Sequence, residues 1–269
     1  MTVRKRSSTD RVLDVLSLFT EERPAWTVEM LIAELNTTRA TTYRYVKSLY
    51  DAGFLAPSAG SSYVLGPRFI QVDRQIQRTD PLLRAALPEI ARDSSPLIGA
   101  KVVSSFYGDQ VLSVHVEKLD QDIRLIMERG QPFPLLFGSP SKIILAYLPP
   151  YQMKNFYQSN EQEIRRRQLG ESWADFRNVM RQLRKEGVCV GGHIERSVIG
   201  VAAPIFHAKG SVSSSLCYVR RKEICTDADI AALGDMVKAT AARISLTLQS
   251  SNPEQNGKSN GMPAPKMPG

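Results

Sequence analysis

The chain has 269 residues, enough for one large domain or two smaller ones with proper cores, and its 42% hydrophobic and 23% charged content is that of a globular protein. A formal net charge of +8 suits a polyanionic partner, but residues 1–80 hold 11 Lys and Arg against 9 Asp and Glu, so the argument must rest on where charges sit. Three cysteines without a CxxC pair and three isolated histidines exclude a disulfide framework and a recognisable zinc site. No apolar run approaches the ~20 residues of a membrane span and no apolar signal core is present, so a cytoplasmic chain without cofactor or membrane contact is expected.

Helical spacing first shows from Arg11 to Thr20, where Val12, Val15, Leu16 and Phe19 repeat behind Ser8 or Thr9 as caps. After Pro24, Thr27 caps a second helix with Val28, Leu31, Ile32 and Leu35 as its stripe. Asn36, Thr37 and Thr38 form a short connection to a third helix. At about 100° per residue, Thr42, Tyr45, Val46 and Leu49 fall on one side of it. Ala40, Thr41, Tyr43, Arg44, Lys47 and Ser48 fall on the other, with no acid between Glu34 and Asp51. A solvated helix ordinarily mixes both signs one turn apart. Gly53 ends the helix, and residues 54–65, with a Ser- and Gly-rich turn at 57–62, read as a β-hairpin.

Gly66-Pro67 opens a further helix to about Asp80, with Phe69, Val72 and Ile76 on one face, and Pro81 begins another carrying Leu83, Ala86, Leu87 and Ile90. From about Ile98 the pattern becomes strand-like, at 102–106, 110–116 and 122–127. A helix is expected from Ser139 to about Leu148, with Ser139 as cap and Pro140 first, and another from the Ser172 capping box to Gly187. Strands at 188–193, 200–206 and 211–219 precede a long helix that starts at the Thr226 capping box and carries Ile230, Leu233, Val237, Ile244 and Leu248. The Gly- and Pro-rich tail reads as disordered. Expected boundaries are therefore 1–65 for a first domain, 66–80 for a linker helix, 81–250 for a second domain and 251–269 for the tail.

Helix, helix, turn, helix, hairpin is the order of a winged helix-turn-helix. In its third helix, Arg39, Thr41, Tyr43, Arg44 and Lys47 are the residues expected to meet double-stranded DNA, since long polar side chains reach base edges and cations neutralise phosphates. The runs Arg11-Val-Leu-Asp-Val-Leu, Thr41-Thr-Tyr-Arg-Tyr-Val-Lys-Ser-Leu, Gly53-Phe-Leu and Tyr63-Val-Leu-Gly-Pro-Arg resemble the N-terminal domain of IclR-family transcriptional regulators. Arg129-Gly-Gln-Pro, Lys142-Ile-Ile-Leu-Ala, Lys185-Glu-Gly187 and Val201-Ala-Ala-Pro-Ile205 extend the resemblance over residues 8–248.

The resemblance implies an α+β chain: a winged helix-turn-helix, a linker helix used in dimerisation, and a mixed α/β, GAF- or profilin-like effector-binding domain. It implies a homodimer or tetramer on a near-palindromic operator of a catabolic operon. By the same carry-over the effector pocket is Ser139, Pro140 and Ser141, then Gly191 or Gly192, Gly200, and Cys217 with Val219. The last positions depart from the family's pattern, with glycines for an acid and for a cysteine, and Cys217 and Val219 for a hydroxyl pair. A small organic acid is expected, its carboxylate at the amides of Ser141 and Lys142 and a larger apolar body, such as an aromatic ring, in the space left by Gly191 and Gly200.

The alternative is a ligand-binding protein or a Ser/Lys hydrolase with a vestigial helix-turn-helix. Ser139-Pro-Ser-Lys142 has S-x-x-K spacing, but the elements that accompany it in penicillin-recognising enzymes are missing, so no catalytic residue is expected. His115 reads as a structural histidine. His193 and His207 flank a strand without acid or cysteine at ligand spacing, so no metal is expected there. Arg165-Arg-Arg167 reads as a solvated face, and Cys217 as a small buried side chain.

Overall fold

The computed structural model describes residues 8–191, 197–207 and 210–250. Gly192, His193 and the tail at 251–269 lie outside the described residues. The chain divides into two compact units between Asp80 and Pro81.

In the first unit, α1 (Ser8–Ser17), α2 (Val28–Leu35) and α3 (Arg39–Asp51) enclose Val15, Trp26, Leu31, Tyr45, Val46, Leu49 and Leu55. The first helix lies three residues earlier than its apolar spacing suggested. Leu18 and Phe19 follow it in a turn yet still pack on the core, so their spacing reported burial rather than helix. Trp26 starts β1 (Trp26–Thr27), which pairs with β3 (Ser62–Leu65), which in turn pairs with β2 (Leu55–Ser58), giving the order β1-β3-β2. The hairpin thus has a third strand that two residues were too few to announce. Thr27 caps α2 by accepting from the Met30 amide, and Asn36 ends it in the left-handed region at φ 49°.

The first unit closes with α4 (Arg68–Thr79), which has no buried residue. Phe69, Ile70 and Ile76 are exposed and Val72 is half-buried. The expected stripe is not wholly unpartnered, because Phe69 packs edge-on against Phe54 with ring centroids 5.3 Å apart.

The second unit is built on a six-stranded sheet of β4 (Ala100–Tyr107), β5 (Gln110–Lys118), β6 (Pro132–Pro134), β7 (Cys189–Gly191), β8 (Val198–Phe206) and β9 (Val212–Arg221). Its order is β6-β5-β4-β9-β8-β7, with every neighbouring pair antiparallel. On one face lie α5 (Pro81–Ala91) and α9 (Asp227–Ser250), which bury Leu82, Ile90, Leu233, Val237 and Ile244 against Val201, Leu216 and Tyr218. Arg243 ties these helices together, reaching Glu89 at 2.8 Å and Asp93 at 3.3 Å. The Thr226–Asp229 capping box forms in both directions.

The opposite face is covered by α6 (Gly138–Tyr147), α7 (Pro150–Arg166) and α8 (Trp173–Glu186). The Ser172 capping box and a left-handed Gly187 bound α8 as expected. Two features differ from expectation. Residues 122–127 form no strand; their alternation instead lays Ile123 and Leu125 on the sheet face, and the edge beside β5 is taken by the short β6. The unforeseen α7 buries only Met153, Tyr157 and Ile164 along 17 residues and is kinked at Asn160, so its stripe is thin.

Candidate functional site

In α3 the capping residue is Thr38, whose hydroxyl accepts from the Thr41 amide at 3.3 Å and donates to the Thr41 hydroxyl at 2.9 Å. Thr42, Tyr45, Val46 and Leu49 are buried, which leaves Arg39, Tyr43, Arg44 and Lys47 exposed and Thr41 half-buried at the edge. The stretch without acids in sequence is not without acids in space. Arg39 pairs with Glu29 of α2 at 3.4 Å and lies 5.6 Å from the Tyr43 ring, while Lys47 pairs with Asp51 one turn on at 2.9 Å. Both cations are held above their ordinary pKa, Arg39 first by its hydrogen bond to Tyr43 and Lys47 first by its bond to Asp51. An anion approaching this face competes with two exposed carboxylates, a feature that chain order hides for Glu29.

The second candidate site gathers at the start of α6. The helix begins at Gly138, after Phe137 and without a side-chain cap, so Ser139 is its second residue and not its cap. The Phe137 amide already donates to Pro134 O at 2.9 Å, and Pro140 has no N–H. The amides at the helix start are therefore those of Gly138 and Ser139, and the Ser141 and Lys142 amides, expected to be free, lie inside the helix. Ser139 and Ser141 are each 2% exposed.

The sheet below carries Gly191 opposite Gly200, and Gly200 opposite Val219, with Cys217 buried beside them. Ser139 Oγ lies 3.6 Å from Cys217 Sγ, and Ser215 Oγ donates to Pro140 O at 3.1 Å. The glycines leave no room for a ligand body. A Cβ built on Gly200 would stand 2.8 Å from Ser139 Oγ and 3.2 Å from Cys217 Sγ, and one on Gly191 would stand 3.4 Å from the Ser139 nitrogen. Their missing side chains let α6 approach the sheet, and that approach fills the expected space.

Burial dominates the chemistry around this helix. It pushes the Cys189 thiol up to about 11 and the Cys217 thiol up to about 12, away from any reactive thiolate. Lys142 is half-buried and lowered, first by burial, with Cys189 opposing and Arg167 adding to the shift. Arg167 departs from the solvated face expected of its run. It is half-buried, 3.7 Å over the Phe137 ring, and bonded to Glu163 at 2.6 Å. His115 is half-buried and lowered chiefly by burial, and His207 Nε2 lies 3.0 Å from Ser214 Oγ. Among the described residues no group of three or more His, Cys, Asp or Glu could hold a metal, and no helix is long and apolar enough to cross a membrane.

Residues 8–58 match the model of the IclR helix-turn-helix domain, and residues 84–246 match that of the bacterial transcriptional regulator IclR C-terminal domain. The chain belongs to the IclR family of transcriptional regulators. It is similar to the HTH-type transcriptional regulator KipR of Bacillus subtilis, 22% identical over 247 residues, which span 90% of this chain and 96% of that one. It is also similar to the DNA-binding transcriptional repressor YiaJ of Escherichia coli, 25% identical over 206 residues, 72% of this chain and 71% of that one.

The fold matches an IclR-type regulator from Alicyclobacillus acidocaldarius, with TM-score 0.72, 18% identity and coverage of 91% of this chain and 99% of that one. It also matches an IclR homologue from Microbacterium hydrocarbonoxydans complexed with 4-hydroxybenzoate, with TM-score 0.69, 19% identity, and coverage of 91% of this chain and 100% of that one. Membership in the IclR family makes this chain a transcriptional regulator with an N-terminal DNA-binding domain and a C-terminal effector domain. Its families and curated relatives are regulators, not enzymes.

Proposed function

We propose that this IclR-family chain binds a near-palindromic operator of a catabolic operon as a homodimer, through Arg39, Thr41, Tyr43, Arg44 and Lys47. An organic acid held at the start of α6 governs that binding. The observation that carries the DNA reading is the α3 face itself, four long polar side chains exposed at helical spacing over a buried three-helix core. Specificity in such modules comes from two recognition helices about one DNA turn apart. The exposed apolar residues of α4, Phe69 and Ile76 with the half-buried Val72, favour that helix as the seam between subunits. Changing Val72 and Ile76 together to Asp is expected to shift the sedimenting species to monomer; an unchanged mass removes α4 from the interface.

The acid reading is supported by the helix start, where Gly138 and Ser139 supply amides and the half-buried Lys142 and Arg167 supply positive charge. A protein of the same fold complexed with 4-hydroxybenzoate favours an aromatic acid. The test is a salt titration of operator binding with the upstream DNA of the chain's own gene, with and without 4-hydroxybenzoate and benzoate. Sequence-selective binding that weakens with salt and responds to an acid is expected. No binding at low salt rejects the DNA reading, and a response to neither acid rejects the aromatic-acid reading.

A further inference from the structure

A notch opens between α7 and α8. It is about 170 Å³ in volume, walled by Pro150 and Met153 of α7 and by Trp173 and Met180 of α8, and its rim is formed by Arg177, Arg181 and Arg184. Met153 and Met180 are buried and Trp173 is half-buried, its ring 5.4 Å from that of Tyr157 and 6.1 Å from that of Phe176. The apolar wall is therefore fixed by the core behind it. Sites for whole small molecules enclose roughly 300–1000 Å³, so this notch has room for one large side chain.

The rim carries one sign of charge. Arg177 and Arg181 are exposed one turn apart on α8, and no carboxylate lines the notch. Among the described residues Arg177 has no hydrogen-bond or ion-pair partner and Arg181 has only the Asn178 side chain at 2.8 Å, whereas Arg165, Arg166 and Arg167 on α7 are paired with Glu161 or Glu163. The acids of α8 are engaged elsewhere, Asp175 in the Ser172 cap and Glu186 with Gln182. Like charges one turn apart weaken a helix, so the stability of α8 gives no reason for Arg177 and Arg181. Arg184 differs: it donates to Ala146 O and Leu148 O and ties the end of α6 to α8.

We propose that the notch docks an acidic segment of a partner protein, with one aromatic side chain seated against Met153, Trp173 and Met180 and flanking carboxylates meeting Arg177 and Arg181. Two methionine sulfurs and a guanidinium rim favour an aromatic anchor over an aliphatic one. A single anchor in a preformed apolar socket, ringed by polar groups, is how a few residues come to dominate an interface. Charge argues against this chain as its own occupant. Residues 1–7 hold Arg4, Lys5 and Arg6 without an acid, residues 251–269 hold Lys258 and Lys266 against Glu254, and the same face of a second copy would set arginines against arginines. A nucleic-acid duplex matches the charge but leaves the apolar wall without a purpose.

The test is selection of a displayed random peptide library on the full chain, then anisotropy titration of the recovered peptide against the full chain and against Arg177→Glu/Arg181→Glu across a salt series. Peptides with an aromatic residue flanked by Asp or Glu are expected. Replacing that aromatic residue with Ala should weaken binding by more than about tenfold, the loss of one buried ring. The charge reversal should weaken it by about tenfold, most at low salt. Both positions are exposed, so the reversed chain should melt and sediment like the unaltered one; if it melts lower, Arg177→Gln/Arg181→Gln makes the same comparison without new charge. No shared motif, a motif without acids, or a peptide held equally by the reversed chain overturns the proposal. So does a changed sedimenting mass, which assigns the face to a second copy, or a loss of affinity for random duplex as large as the loss for peptide, which assigns it to DNA.

Discussion

At the start of α3 a threonine caps the helix and the next two turns carry Arg39, Tyr43, Arg44 and Lys47 into solvent; at the start of α6 no side chain caps the helix, and Ser139 and Ser141 are 2% exposed. Both beginnings are rich in hydroxyl residues. They differ in what lies opposite. Among the described residues of its own unit nothing buries Arg39, Tyr43, Arg44 or Lys47 of α3, whereas α6 is pressed onto a sheet that has lost side chains at Gly191 and Gly200 to receive it. The same local chemistry gives an exposed polar face in one unit and a closed interior in the other.

The largest test of this contrast is at the thiols beneath α6. Thiolate is the reacting species, so holding Cys189 near 11 and Cys217 near 12, from an ordinary 9.0, slows each by roughly 100-fold and 1000-fold at neutral pH. A timed titration with an aromatic disulfide reagent should find Cys225 first, since it is only half-buried, and the other two after denaturant. Comparable native-state rates for all three would show that α6 sits loosely on the sheet.

Next comes packing. Replacing Gly200 with Val puts carbon where Ser139 and Cys217 already are, and overpacking of this kind costs ~1–3 kcal/mol. The counterpart on α3, Ser48→Ala on the exposed face, should stay within ~0.5 kcal/mol. Thermal melts of both check this, and pairing Gly200→Ala with Ser139→Ala should recover part of any loss from Gly200→Ala alone. A Gly200→Val chain as stable as the original would mean that the space over the glycines is real after all.

That asymmetry also explains what could be read in advance. An amphipathic surface helix writes its burial into its own period, so Thr42, Tyr45, Val46 and Leu49 were legible one by one. In α6, Ser139 through Ala146 are buried save Lys142, leaving little contrast to read, and its start fell at Gly138 because Phe137 and Pro134 close the preceding turn. A glycine in sequence says only that a side chain is absent. Whether the vacancy admits a ligand or a neighbouring helix depends on a tertiary contact between residues 61 apart, as with Ser139 and Gly200. The alternation at 122–127 misled for a related reason, since one-sided burial has a period of two with or without strand pairing.

On the open face, smaller effects are expected. If Arg44 reads a base, Arg44→Ala should relax sequence choice by about tenfold to a hundredfold. Lys47→Ala should weaken all sites alike and reduce the salt slope by about one. Competition between operator and random DNA across a salt series separates these outcomes. Wild-type behaviour from both variants would mean that this face does not meet DNA.

The smallest effect follows from the carboxylates that the acid-free stretch conceals. Lys47 and Asp51 are 2.9 Å apart with both side chains more than half exposed, an arrangement that contributes little to stability and is weakened by salt. A phosphate at Lys47 must displace Asp51 or share the ammonium with it, and Asp51 itself repels the duplex. Asp51→Asn should therefore tighten operator binding by roughly two- to fivefold at low salt, with the gain fading as salt screens both interactions. The variant should melt close to the unaltered chain, because the pair lies at a solvent-exposed helix end. Glu29→Gln, which frees Arg39 at the other end of α3, makes the same prediction independently. If neither change strengthens binding in a filter or anisotropy titration at low salt, phosphates do not approach the ends of α3, and the duplex meets only its middle around Tyr43 and Arg44.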